Sequence, residues 1–373
     1  GFILKITNGN QEIGKYILLF FHWFLSIGII FLTYKIQKKA KFIKIIYVIG
    51  LLLIILNPSI IFYENFPLYN HLSCFIFFLI FYNFYSLSHK KKFKYEFFIL
   101  ILSLILTLTW PLFHPVFLII ICFLIIYIKK KLEKKTFIVC FLFFIISLTP
   151  SIKNYYEFNF FGNGSGLGQN MSGLVYWNNE LRDICDYKNL NKFNENKIEL
   201  KHQILSTKYH TQNSLLALNK SNFCLESSVY EIKDNFTDYF FYRLRVLLAS
   251  HNRFSFEYFQ PPVGFQKYFI FLKELKKNQF SWMFKKVLIN MFFMSYYLII
   301  FFYFIKIKDN QNFKKASLCI FILHLYILLI GTFLNNQEQE RFRYTSGIYL
   351  NFLFTYIIIK FKSNLFKILN INY

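Results

Sequence analysis

The chain lacks several familiar functional motifs. It has no Cys-x-x-Cys pair, no Cys/His spacing for structural zinc, no glycine-rich phosphate loop and no internal repeat of fixed period. Acidic residues are scarce, 19 against 43 Lys and Arg, which gives a net charge of +24. The lysines are dispersed between apolar segments and form no continuous basic stretch, so nucleic acid is not the partner that this charge predicts.

Long apolar segments dominate the chain instead. A helix needs about 20 apolar residues to cross the hydrocarbon core of a bilayer. Such segments recur throughout, and they predict an all-α polytopic membrane protein with about nine transmembrane helices and one long outer loop module. The predicted spans are 15–35, 43–63, 70–88, 96–112, 115–129, 136–151, 286–306, 315–334 and 344–361.

Every second connection between these spans is rich in lysine. The basic clusters are Lys35–Lys44, His89–Lys94, Lys129–Lys135, Lys306–Lys315 and Lys360–Lys367. Cytoplasmic loops collect Lys and Arg, so the pattern places these clusters and the C-terminus inside and residues 1–14 outside. We expect a multi-pass protein of the bacterial inner membrane. Because the chain opens outside without an initiator Met, we also expect an odd number of spans upstream.

Three regions follow from this pattern. They are an N-terminal transmembrane region (1–151), an outer module (152–285) and a C-terminal transmembrane region (286–373). The outer module is expected to be mostly helical over 176–235. The aromatic residues that follow at helical spacing suit either interfacial helices or an ordinary amphipathic helix of the soluble module. Cys185 and Cys224 lie in this module and would pair in an oxidising compartment, but the sequence leaves their pairing open.

Two segments at the predicted outer surface carry residues suited to an anionic ligand. Arg341 and Arg343 stand directly before the last span, and Arg presents a fork of donors that matches phosphate. Lys153 and Asn154 follow Pro150, which we expect to end the sixth span. A cation with polar donors at each place favours binding of an anionic group at the membrane surface.

The same segments resemble motifs of the GT-C superfamily of membrane glycosyltransferases, in particular the protein mannosyltransferases and aminoarabinose transferases. Members commonly have P-x-x-[RK]-N-Y-x-x-F-x-x-F where a span emerges outside, and E-x-R-[FY]-R-x-P before a late span. The residues similar to the first motif are Pro150, Lys153, Asn154, Tyr155, Phe158 and Phe161. Those similar to the second are Glu338 or Glu340, Arg341, Phe342 and Arg343, with Thr345 in place of the proline.

The resemblance implies transfer of a sugar from a polyprenyl-phosphate carrier to a lipid, glycan or protein acceptor at the outer face. In that superfamily the catalytic base is an Asp in the first outer loop, which in this chain precedes residue 15. Glu12 is the only carboxylate among residues 1–14 and is a weak candidate for the base. We therefore expect the catalytic Asp to lie upstream of Gly1.

The resemblance also implies roles for the charged residues of the second motif. Arg341 and Arg343 would bind the carrier phosphate, with Lys153 next and Asn154 as an orienting donor. A second set would support the site: Glu338, Glu340, Glu64 and His71. The first two would order the arginines or help with a divalent metal ion, the one cofactor that this chemistry admits, and no metal ligand set is assigned. The last two would line the cavity.

Two other functions compete with this one. An O-antigen polymerase or ligase would use a diphosphate-linked glycan, which Arg243, Arg245 and Arg253 of the outer module would bind. A transporter is disfavoured because we expect the spans to lack buried charge, broken helices and inverted repeats.

Overall fold

The computed structural model describes residues 11–40, 48, 52, 70–109, 113–158, 171–175, 177–185, 215–250, 295–305, 310–334 and 339–368. Helices joined by turns make up these ranges, and no β-strand occurs within them. The predicted all-α class is therefore confirmed for the part of the chain that is described.

The helices follow the predicted spans closely. Among the described residues, five precede the outer module: α1 (Gln11–Ala40), α2 (Asn70–Lys90), α3 (Phe93–Thr109), α4 (Val116–Lys129) and α5 (Lys134–Phe158). The module contributes α6 (Asn179–Cys185), α7 (Leu215–Asp234) and α8 (Phe236–Ser250). The last three are α9 (Ser295–Ile305), α10 (Gln311–Leu334) and α11 (Gln339–Ile368). The predicted second span, 43–63, lies outside the described residues apart from Val48 and Leu52.

Four of these helices are long and apolar enough to cross a membrane. The segments are Tyr16–Ala40, Asn70–Lys90, Lys134–Tyr156 and Gln311–Phe333. On α1, Phe20 is 71% exposed and Phe24 is 65% exposed, and both belong to a strip of exposed apolar residues at helical spacing. A surface of this kind suits lipid and not water. The chain is a membrane protein, and nine crossings remain a prediction.

Helix α2 is the centre of the bundle. It packs against α1, α3, α4, α10 and α11. The face of α2 that carries its aromatic side chains is buried. The centroid of the Phe81 ring lies 4.3 Å from that of the Tyr349 ring on α11. The Phe77 ring lies 5.9 Å from that of Phe113, just before α4. Helices in lipid associate through close packing, and interlocked aromatic rings provide that packing here.

The residues of the basic clusters meet at one end of the bundle, called the basic end below. Lys39 Nζ on α1 donates to Ser86 Oγ near the end of α2 at 2.8 Å. Asn312 Nδ2 at the start of α10 lies 3.1 Å from His89 Nδ1. Lys360 Nζ near the end of α11 donates to the Tyr356 hydroxyl at 3.3 Å, and the Tyr356 ring packs on α10 beside Asn312. The lysine-rich connections in the sequence therefore lie at one end of the bundle, and the lysine-poor connections between them belong to the other end.

Helices α1 and α2 run parallel. Ser26 of α1 bonds His71 at the start of α2, and Lys39 at the end of α1 bonds Ser86 near the end of α2. Ala40 and Asn70 consequently lie at opposite ends of α2. A span over 43–63, as predicted, would connect these two ends.

The prediction that Pro150 ends the sixth span is wrong, because α5 continues through it to Phe158. Proline has no N–H to donate to the carbonyl four residues earlier, that of Ile146. Thr149 Oγ1 donates to this carbonyl at 2.7 Å and so replaces the lost bond. Hydroxyl side chains allow membrane helices to retain proline in this way. Lys153 therefore lies on the helix and not beyond its end.

The expectation that the spans lack buried charge is also wrong. Glu96 of α3 is completely buried, and its carboxylate accepts from Lys129 Nζ at the end of α4 and from the Thr136 hydroxyl of α5. Lys129 Nζ also pairs with Glu133 at 2.6 Å. These groups fasten three helices together at the basic end, where each charge has a partner.

Candidate functional site

The predicted phosphate-binding residues lie on helices that reach the end of the bundle opposite the basic end, called the distal end below. Helix α5 starts at the basic end, where Thr136 bonds Glu96. Lys153 follows 17 residues later, about 26 Å along the helix at 1.5 Å per residue. Its side chain is exposed, and that of Asn154 next to it is half-buried.

Arg341 and Arg343 lie at the start of α11, which begins at Gln339. Helix α10 starts at the basic end beside His89 and α11 follows it after a short connection, so α11 begins at the distal end. The first amides of a helix and its dipole attract anions. The backbone at this position therefore suits the predicted ligand, although the two side chains lie outside the described residues.

The structure does not describe the side chains of the remaining predicted carboxylates. Glu12 and Glu340 lie in the first turns of α1 and α11, where only the backbone is described, and Glu64 and Glu338 lie outside the described residues. Within the described part of the chain, no group of three or more His, Cys, Asp or Glu side chains is arranged to hold a metal ion.

His71 is completely buried between α1 and α2. Its Nε2 atom lies 2.9 Å from Ser26 Oγ, and its ring centroid lies 5.5 Å from that of His22, which is buried on α1. The imidazole therefore bridges two helices. His22 was not among the predicted residues, and its position within an apolar span is the signal that points to it.

His114 lies in the turn that starts α4. Its carbonyl accepts from the Phe117 N–H at 2.7 Å. Partial burial lowers the pKa of its imidazole. The histidine therefore belongs to the start of a helix.

The described part of the outer module is helical and cross-linked. Cys185 at the end of α6 forms a disulfide with Cys224 of α7, which answers the question that the sequence left open. Asn178 caps α6 by accepting from the Leu181 N–H at 2.9 Å, and it donates to Glu231 of α7 at 3.0 Å. These contacts hold α6 against α7.

Helix α8 is docked on the last turn of α10. Arg243 is completely buried, and its Nε donates to the Thr332 carbonyl at 2.7 Å. The Tyr239 hydroxyl donates to the neighbouring Phe333 carbonyl at 2.6 Å. The last carbonyls of a helix have no partner within the helix and carry partial negative charge. A buried guanidinium and a phenol therefore complete α10 and fix the outer module to the distal end.

The docking of Arg243 bears on the O-antigen polymerase alternative. A guanidinium that is buried and bonded to a helix end is not presented to a diphosphate. Arg245 and Arg253, the other two arginines of that alternative, have side chains outside the described residues.

A polar network joins α9, α10 and α11 within the apolar part of the bundle. His324 is 2% exposed, and its Nε2 and Nδ1 atoms lie 2.8 Å from the Tyr297 hydroxyl and 2.7 Å from Ser346 Oγ. The Tyr349 hydroxyl donates to Ser317 Oγ at 2.7 Å in the same layer of helices. Both nitrogens of His324 are engaged, so the network links helices. Its members come together only in the fold, so the sequence alone does not predict this network.

The chain matches no protein-family model, no curated protein and no solved structure. The class of protein that the fold defines is therefore a helical membrane protein with a disulfide-linked module at its distal end. Any finer assignment rests on the motifs and their placement.

Proposed function

We propose that the protein is an integral-membrane glycosyltransferase that moves a sugar from a polyprenyl-phosphate carrier to an acceptor. The observation that carries the proposal is the placement of the two motif segments. Lys153 and Asn154 near the end of α5, and Arg341 and Arg343 at the start of α11, belong to helices that reach the same distal end. The outer module is docked at that end through Arg243.

The chemistry explains why such a site would lie at a membrane surface. The carrier is a lipid, so its phosphate meets the protein at the boundary between lipid and water. Displacement at the anomeric carbon needs a carboxylate to take the acceptor hydroxyl proton and cations to stabilise the departing phosphate. Arg341, Arg343 and Lys153 are the proposed cations, and Asn154 is a proposed orienting donor.

The base is proposed to be a carboxylate, and Glu12 is the weak candidate for it among residues 1–14. Glu338 and Glu340 are proposed to order the two arginines. A divalent metal ion, if the enzyme uses one, would be held near these carboxylates and would neutralise charge on the leaving phosphate.

The proposal also includes the orientation of the protein in the membrane. The basic end is assigned to the cytoplasm and the distal end to the outside, in the bacterial inner membrane, with the C-terminus inside. The disulfide between Cys185 and Cys224 supports this assignment independently of charge, because disulfides persist in oxidising compartments such as the periplasm. Two unrelated features therefore favour the same side for the outer module.

The test is transfer of radiolabelled sugar from polyprenyl-phosphate donors in membranes that contain the full-length protein. Arg341→Ala and Arg343→Ala should each abolish transfer, and the matching Lys variants should retain part of it because they keep the charge but lose the fork of donors. Arg182→Ala is the matched control, since this arginine is exposed on α6 and belongs to neither motif segment. Undiminished transfer by both Ala variants, at normal expression, would overturn the phosphate role.

A further inference from the structure

Helix α8 sits where α10 leaves the apolar part of the bundle. Thr332 lies 17 residues after Lys315, about 26 Å along α10, and the hydrocarbon core of a bilayer is about 30 Å thick. Arg243 and Tyr239 of α8 bind the carbonyls of Thr332 and Phe333 at that level of α10. Helix α8 is therefore fixed at the boundary between lipid and water on the distal side.

The side chains of α8 separate into three directions. Successive residues of a helix are about 100° apart. Tyr239 and Arg243 point towards α10, Phe240 lies about 100° to one side of Tyr239, and Asp238 lies about 100° to the other side. One flank is apolar and exposed, and it is called the α8 strip: Phe236, Phe240 and Leu244. Phe236 is 59% exposed and Asp238 is also exposed, so neither flank is covered by the described helices.

The α8 strip continues the exposed apolar surface of α10. The Phe240 ring lies 6.1 Å from the Phe333 ring, measured between centroids. Phe333 stands one turn beyond Leu329, which is exposed together with Leu325 and Ile322 at helical spacing. An unbroken apolar surface thus runs from the span onto α8.

We propose that α8 lies in the plane of the outer membrane interface, with the α8 strip among phospholipid acyl chains and Asp238 towards water. Amphipathic helices of this kind bury their apolar side at the boundary between headgroups and acyl chains. Tyr239 is also a core residue of the outer module, where it packs with Met171 and Leu174. Through α8 the disulfide-linked module rests on the bilayer as well as on α10.

The test measures the environment of single spin labels on the intact protein. The four free cysteines are replaced by Ala and the disulfide is retained: Cys74, Cys122, Cys140 and Cys319. Phe240→Cys and Leu244→Cys probe the strip, Asp238→Cys probes the opposite flank, and Leu329→Cys serves as a reference in lipid. Each variant is reconstituted in vesicles of phosphatidylethanolamine and phosphatidylglycerol, and collisions with oxygen and with a water-soluble nickel chelate are compared.

The proposal expects labels at 240 and 244 to behave like the label at 329, with an oxygen-to-nickel ratio severalfold above that at 238. A nickel-accessible strip would place the strip in water and overturn the proposal. A strip shielded from both reagents would mean that another segment or a second copy of the chain covers it, which also overturns the proposal. If the background without free cysteines does not fold, a photoactivatable phospholipid should label residues 236–244 in the unmodified protein, and absence of label from that peptide counts against lipid contact.

Discussion

Removal of Lys129 should destabilise the bundle more than removal of its partner Glu96. In Lys129→Met, the carboxylate of Glu96 remains completely buried with only the Thr136 hydroxyl to donate to it. Breaking a buried pair in this way costs about 3–5 kcal/mol. In Glu96→Gln, the amide keeps the volume and a bond to Thr136, and Lys129 keeps Glu133 at 2.6 Å. That loss should be about 1.5–3 kcal/mol, the range for a hydrogen bond to a charged group.

The double variant, which combines Glu96→Gln with Lys129→Met, should cost clearly less than the sum of the two single changes. Both charges are then absent and no unpaired carboxylate is left at position 96. Residues in one ion pair typically show coupling of about 0.5–3 kcal/mol. Lys131→Met is the matched control, because Lys131 is 70% exposed and approaches Glu133 only to 3.6 Å. Its effect should stay within about 0.5 kcal/mol.

The assay follows thermal unfolding of the purified protein through the reactivity of buried thiols. Cys140 reports on the site directly, because it is buried on α5 and its Sγ lies 3.7 Å from the Leu118 carbonyl of α4. The reasoning is refuted if Lys129→Met and Lys131→Met behave alike, or if the effects of the double variant are additive.

Three further changes test other parts of the structure. Thr149→Val should cost about 1 kcal/mol in the same unfolding assay, because the Ile146 carbonyl loses its donor, and an unchanged midpoint would contradict that role. His324→Phe removes two hydrogen bonds between helices and should cost about 1–2 kcal/mol, whereas a stabilised variant would count against the network. Cys185→Ser opens a loop of 39 residues and should destabilise the outer module by about 4 kcal/mol, with the Cys224 thiol becoming alkylated without reductant; equal protease resistance of both forms would argue against the cross-link.

The positions of the helices could be predicted because each apolar run carries its own signal. The helices α2, α4 and α10 begin and end within a few residues of their predicted bounds. The prediction at Pro150 was wrong because it relied on the rule that proline ends a helix. That rule does not include the neighbouring Thr149 hydroxyl, which supplies the missing hydrogen-bond donor. A Thr directly before a proline inside an apolar run is the signal that would have extended the helix.

The contacts between helices could not be predicted in the same way. Glu96 and Lys129 are 33 residues apart, and the pair forms only because α3 and α4 turn back on each other. Arg243 is 89 residues from the carbonyl that it binds, and nothing near it in the sequence marks it as buried. The candidate site was located by motif order and charge alternation, which fix the end of the bundle but not the distances within it.

The central position of α2 has a consequence for how the protein is made. Two of its neighbours, α10 and α11, begin more than 200 residues after α2 ends at Lys90. At a synthesis rate of about 5–20 residues per second, α2 waits at least about 10–45 s for these two packing partners to exist. Two of its polar side chains, Asn83 and Ser86, bond to carbonyls one turn earlier in the same helix, so these bonds need no other helix. These polar groups are thus satisfied before the later helices exist, and assembly of the described bundle is completed only after α11 has left the ribosome.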